Sequence, residues 1–253
     1  MTAIVGIRCK DGVVIGSDSS ATFGDGVHRT IEQSTAKKIE IIGESVIVAG
    51  TGAVGHMQRF AAVTQALWDR KAFKDKSEIE IGKMLSGEGI KDFSQTHAMN
   101  SLLFSAMVAY PAKDHPSLCE FPGQQLIFQP EIKKVDDLWF ASMGSGQILT
   151  DPFLALLRKV YWRDGAPTLQ GGIFAAVWAL QHACEVNPGG INAPVKIAQL
   201  AREKGKLKAR MLDEAELAEH QNMVTEATKH MAAFKDIMEG KGKASDVPMP
   251  MPA

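Results

Sequence analysis

Thr2 follows Met1 directly, and this is the position in the chain with the sharpest chemical potential. Removal of a methionine that precedes a small residue would leave a hydroxyl and a free α-amine on one threonine. Such an amine titrates at about 7.7–8.0. A good fraction is neutral near pH 7 and can take the hydroxyl proton, directly or through a water. That is the threonine–amine version of an activated nucleophile. Threonine is also an ordinary second residue, so Thr2 needs company before it means catalysis.

Asp18 and Lys38 supply that company. Asp18 ends the apolar run GVVIGSD and Lys38 heads the run KIEII. Acidic residues are depleted in strands and costly to bury unpaired. A hairpin turning at Asp11-Gly12 places Asp18 opposite Val5, roughly 10 Å along the strand from Thr2. At that range Asp18 is no base for Thr2, but it can hold a lysine that reaches Thr2. A cation there lowers the pKa of hydroxyl and amine alike. The plain alternative is an exposed aspartate and a solvated Lys37-Lys38 pair.

Gly50-Thr51-Gly52-Ala53-Val54-Gly55 fits the GxGxxG pattern of dinucleotide sites, which makes a dinucleotide-binding oxidoreductase an alternative reading. The strand before it closes a run of hairpins, however, and does not open a parallel βαβ unit. Gly50 can instead let a backbone N–H approach a developing oxyanion. Ser145, in Gly144-Ser145-Gly146, lacks the GxSxG elbow and reads equally well as a turn. The histidines form no HExxH and no metal spacing, and His220 and His230 read as solvated helix positions. No metal and no organic cofactor is implied.

The elements that must position these residues follow from periodicity. Residues 3–9 and 13–18 form a hairpin, 19–34 read as a loop, and 38–42 with 45–49 form a second strand pair. Helices are expected over 54–68 and 78–92. Strands follow at 101–110, 124–128 and 137–141, then helices over 147–162 and 168–185, and a short strand at 195–200. A long amphipathic helix covers 212–238, and a Gly/Pro/Lys tail ends the chain. Strand runs alternating with helix pairs indicate layered α+β.

Composition narrows the function classes. The chain has 253 residues, with 28 Lys+Arg against 29 Asp+Glu and a net charge of −1. There is no basic field to hold nucleic acid, no apolar run of the roughly 18 residues that span a bilayer, and no signal-peptide pattern. The three cysteines, Cys9, Cys119 and Cys184, form no CxxC pair. A cytoplasmic protein without nucleic-acid or membrane partners is expected.

With these residues in place, the chain resembles the proteasome β-subunit family of N-terminal-nucleophile hydrolases. The stretches that carry the resemblance are TAIVGIRCKDGVVIGSDSSAT, then AKKI, then IVAG. Within the family, the short start and extended C-terminus look most like the betaproteobacterial proteasome homologue, with HslV and Anbu types next. The resemblance implies a four-layer αββα sandwich over 2–210; beyond it, periodicity and composition give a C-terminal helical extension over 211–240 and a flexible tail over 241–253. It implies Thr2 as nucleophile, Asp18 and Lys38 as its supporting pair, Gly50 as oxyanion hole, Ser145 near the threonine amine, and Val48 in an apolar specificity pocket.

It further implies a self-compartmentalising threonine endopeptidase that acts on peptide or unfolded protein. The expected assembly is a homo-oligomeric double ring, a tetradecamer in preference to a dodecamer, served by an unidentified ATPase or other regulator. One departure stands out. Where the family carries an aspartate and then a serine before Gly-Gly, this chain has Glu185 and Pro188 before Gly189-Gly190. Glu185 can still accept a hydrogen bond, whereas Pro188 has neither hydroxyl nor N–H. A catalytically weak, ring-forming scaffold is the alternative those two residues motivate.

Overall fold

The computed structural model describes residues 2–24, 29–33, 36–95, 104–124, 127–187 and 190–242. The strands are β1 (Ile4–Arg8), β2 (Gly12–Ser17), β3 (Ala21–Gly24), β4 (Arg29–Gln33), β5 (Ile39–Ile42) and β6 (Val46–Gly52), followed by helices α1 (Val54–Asp69) and α2 (Glu78–Ser94). Next come β7 (Phe104–Ala112), β8 (His115–Phe121), β9 (Gly123–Gln124), β10 (Ile127–Phe128), β11 (Glu131–Lys133) and β12 (Phe140–Met143). Helices α3 (Gln147–Tyr161) and α4 (Leu169–Val186), strands β13 (Lys196–Glu203) and β14 (Lys206–Met211), and helix α5 (Glu214–Met238) complete the order.

Two five-stranded sheets form the centre, ordered β12-β1-β2-β13-β14 and β11-β8-β7-β6-β5. They bury Ile4, Val13, Ile15, Ile47, Met107 and Leu118 between them. Helices α3 and α4 lie on the first sheet, and α1 and α2 on the second. The layers therefore run α-β-β-α, the sandwich implied by the resemblance. Under α1 and α2 the core is aromatic: Phe60 meets Phe104, Phe121 and Phe128 at centroid distances of 5.8, 5.5 and 5.2 Å. Each such pair adds about 0.5–1.5 kcal/mol beyond its area burial.

The chain separates into two compact units, Met1–Leu212 and Asp213–Ala253. In the second, Asp213 and Glu216 form a capping box that starts α5. His230 is exposed along this helix as its spacing suggests, whereas His220 is buried. Residues 243–253 of the tail lie outside the described residues. No helix among the described residues is long and apolar enough to cross a membrane.

Several local expectations need correction. The segment read as a loop contains the two-stranded sheet β3–β4, built on the strand formers Thr22, Phe23 and Ile31. β8 was hidden by Pro116, which sits at the strand end opposite Pro111 and so costs no central ladder bond. β14 was hidden by its charges. It is the edge strand of its sheet, where lysine and arginine can face water. It returns from β13 through Lys204 and Gly205, both at positive φ, as tight hairpins require.

The most consequential correction is the register of the first hairpin. Cys9 N–H donates to the Gly12 carbonyl at 2.9 Å, so the two turn residues are Lys10 and Asp11. Gly12 belongs to β2 and pairs with Ala201. Asp11 is occupied elsewhere, accepting from Leu169 N–H at the start of α4 at 2.7 Å. Ile4 therefore faces Ser17, and Asp18 comes opposite Ala3, not Val5.

Candidate active site

The corrected register brings Asp18 next to Thr2 in the chain geometry. Asp18 N–H donates to the Ala3 carbonyl at 3.1 Å, and its Oδ1 accepts from Ala3 N–H at 2.8 Å. Oδ2 accepts from Ser20 N–H at 3.0 Å. The carboxylate is fully buried, and its remaining partner is Lys38, whose Nζ lies 2.5 Å from Oδ1. Lys38 is itself only 7% exposed. Burial pulls its pKa below the ordinary lysine value and outweighs the opposing attraction of Asp18.

Thr2 is half-buried at the entrance to β1. Its backbone nitrogen is a peptide N–H while Met1 is attached and would be the α-amine after removal. That nitrogen donates to Ser145 Oγ at 3.0 Å. The Thr2 carbonyl accepts from Gly146 N–H at 3.0 Å. Ser145 sits at the junction of β12 and α3. The junction is braced by Ser142 Oγ on Asp151 at 2.5 Å and by Thr150 Oγ1 on Ser142 Oγ at 2.8 Å. Sequence reasoning missed this bracing network, because Ser142, Thr150 and Asp151 carry no motif.

Gly144 is required where it stands. Its φ is +90°, and a Cβ there would lie 2.3 Å from the Thr2 carbonyl oxygen and 3.1 Å from Thr2 Cβ. Gly144→Ala must therefore push the Thr2 backbone aside. We expect a loss of about 10²-fold in any reaction at Thr2, the typical effect of displacing a reacting group by about 1 Å. Rate measurements on a variant with unchanged circular dichroism check this.

Gly50 lies near the end of β6. Its N–H donates to the Lys38 carbonyl in a long hydrogen bond of 3.4 Å. Packing is also tight at this position: a Cβ would sit 2.5 Å from Met57 Sδ and 2.8 Å from the Phe104 ring, so both side chains would have to shift. β6 runs antiparallel to both β5 and β7. The GxGxxG segment thus lacks the parallel βαβ setting that a dinucleotide site needs.

Two of the sequence-derived residues stand apart. Val48 is completely buried in the aromatic core with Phe60 and Phe104; it offers no surface to a substrate side chain. Glu185 is exposed in the last turn of α4 and makes no hydrogen bond to Thr2 or Ser145 among the described residues. Pro188 and Gly189 lie outside the described residues.

The residue from this stretch that couples to the buried pair is Cys184. Burial pushes its thiol up to about 11, with Asp18 adding to the rise and Lys38 opposing it. No sequence signal marks Cys184 for this environment. A cleft of about 440 Å³ is lined by Lys38 together with Ser17, Ser19, Lys37 and Lys196. A larger cavity, about 600 Å³ between Trp68, Phe73 and Pro111, lies toward the end of β7 remote from Gly50. It touches none of these residues.

Comparisons with known proteins agree with the fold. Residues 2–154 match the family described as "Proteasome subunit". A proteasome subunit beta from Nanoarchaeum equitans is 28% identical over 41% of this chain and 45% of its own length. That of Methanococcus maripaludis strain C5 is 26% identical over 81% of this chain and 86% of its own. Proteasome subunit beta 2 of Pyrobaculum aerophilum is 27% identical over 79% and 91%.

Among solved structures, Anbu (ancestral beta-subunit) from Yersinia bercovieri superimposes with a TM-score of 0.68 at 14% identity, covering 92% of this chain and 95% of that one. The helical assembly of the Anbu complex from Pseudomonas aeruginosa gives 0.64 at 17%, covering 99% and 98%. The family model spans more than half of the sequence and includes Thr2, Asp18, Lys38, Gly50 and Ser145. This chain belongs to the proteasome-subunit family.

Proposed function

We propose that the protein is a threonine-type endopeptidase subunit whose nucleophile is Thr2 after removal of Met1. The observation that carries this reading is the convergence of three segments on the start of β1. Asp18 binds both Ala3 N–H and Lys38 Nζ, while Ser145 receives the Thr2 nitrogen. In this scheme Thr2 Oγ attacks a peptide carbonyl carbon as its proton passes to the neutral α-amine. The oxyanion takes the Gly50 N–H from the Lys38 carbonyl, and at 3.4 Å that existing bond is weak enough to yield. Collapse of the intermediate releases the amine product, protonated from the α-ammonium. Water, activated by the same amine, then hydrolyses the Thr2 ester.

Lys38 acts as the cation that lowers the pKa of the Thr2 hydroxyl and amine, and Asp18 holds it in place. The pH profile follows from this. Activity rises as the α-amine loses its proton, with a midpoint at or below about 7.7–8.0. It falls again as Lys38 deprotonates. Because burial lowers the Lys38 pKa, that alkaline limb lies below the ordinary lysine value of 10.5. An alkaline limb at or above this value in kcat/KM contradicts the assignment.

The substrate class is peptide or unfolded protein, and the assembly a homo-oligomeric ring, with a double ring of fourteen subunits favoured over twelve. Support for self-association comes from α3, which exposes Ile148, Leu156, Val160 and Tyr161. Hydrolysis of fluorogenic peptides by the wild type, compared with Thr2→Ala, tests the peptidase reading. Equal rates in the two proteins refute it.

The scaffold reading draws on Glu185, whose exposed position leaves the Thr2 nitrogen with Ser145 as its described polar partner. It predicts an assembled protein in which wild type and Thr2→Ala are equally inert.

A further inference from the structure

The cleft beside Lys38 carries a charge pattern that the reaction itself does not use. It has a volume of about 440 Å³, within the range of small-ligand sites. Three lysines line it: Lys37, Lys38 and Lys196. Ile39 and Met211 form apolar wall, and no carboxylate is among the lining residues. Lys38 is committed to Asp18. Lys37 and Lys196 are exposed and have no ion pair among the described residues. They come from separate elements. Lys37 enters β5, and Lys196 opens β13 opposite Ser17. Fold closure therefore sets two uncommitted ammonium groups on one cleft next to the Asp18–Lys38 pair, in a positive field that Asp18 only partly cancels.

Resting on the threonine-peptidase reading, we propose that this cleft is a substrate subsite for an acidic side chain. Its carboxylate would lie between Lys37 and Lys196, with the aliphatic stem against Ile39 and Met211. An apolar side chain would cover the wall but leave both cations unmatched, and a basic one would be repelled. Val48, fully buried, takes no part in this selection. The chemistry recognised is a carboxylate, which a free small dicarboxylate could also present, so the test separates the two sources.

The experiment uses the full-length Thr2→Ala protein, which binds without turnover, and labelled peptides that differ only by Glu or Gln at one scanned position. Fluorescence anisotropy is expected to show Glu bound about five- to tenfold more tightly at one position. The gap should close in about 0.5 M salt. Lys37→Glu combined with Lys196→Glu should invert it, so that a Lys-containing peptide binds better than the Glu one. Equal binding at every position, binding of neither peptide, or a preference indifferent to both substitutions would overturn the proposal. Free glutarate binding while the Glu and Gln peptides bind equally would assign the cleft to a free anion and also overturn it. Failure of the peptidase reading shows up separately, as wild-type protein that never hydrolyses peptide even where Thr2→Ala discriminates Glu from Gln.

Discussion

Lys38→Ala is expected to lower peptide hydrolysis by about 10²- to 10⁴-fold, the range for removing a group that manages proton transfer. The fold should survive. Asp18 loses one partner at 2.5 Å but keeps two backbone donors, Ala3 N–H at 2.8 Å and Ser20 N–H at 3.0 Å. A carboxylate with two such donors remains largely satisfied. Initial rates on a variant with the wild-type assembly state and near-UV spectrum give the measurement. Wild-type turnover in a correctly processed Lys38→Ala protein would remove Lys38 from the mechanism.

Asp18→Ala has the larger effect on stability. It strips the partner from a lysine only 7% exposed and leaves Ala3 N–H and Ser20 N–H without their acceptor. Breaking a buried pair in this way costs about 3–5 kcal/mol. The loss also has a defined pH dependence. With Asp18 gone, only burial acts strongly on Lys38, so its folded pKa falls further below 10.5. The folded state then binds fewer protons than the unfolded chain, and stability rises with pH in the window beneath the unfolded value. Urea unfolding at fixed protein concentration should show the deficit near neutral pH and its shrinkage toward pH 10. Asp18→Asn retains an acceptor and should lose less. A deficit under about 1 kcal/mol for Asp18→Ala would mean that the pair is not buried as described.

These two experiments bear on residues that are legible in the sequence. Asp18 and Lys38 could be singled out because charge within apolar strand runs is expensive and needs a reason. The closeness of Asp18 to Thr2 could not, because register decides it. One shift of the turn, from Asp11-Gly12 to Lys10-Asp11, moved Asp18 from opposite Val5 to opposite Ala3. Gly12 misled because it was conspicuous beside Asp11, whereas its place in β2 depends on pairing with Ala201, far away in sequence.

Other misses share this non-local origin. β14 reads as a polar segment until β13 is known to leave an open edge. Val48 reads as a pocket residue by its place in the chain, but the alternation of β6 turns it into the aromatic layer beneath α1. Cys184 reads as a lone thiol until α4 crosses the first sheet and brings its field to bear on Lys38. The helices were the easiest elements to read, since their 3.6-residue periodicity is local. The N-cap of α4 illustrates this: Thr168, directly after Pro167, accepts from Gly171 N–H at its start.

The most direct test of the central claim is the intact mass of the purified protein before and after treatment with a peptide epoxyketone. Such a reagent captures a hydroxyl and an α-amine on the same residue. We expect a chain lacking Met1 that gains one adduct, mapped to Thr2, with no adduct on Thr2→Ala. A chain that retains Met1, or a free Thr2 that never reacts, would contradict the central claim.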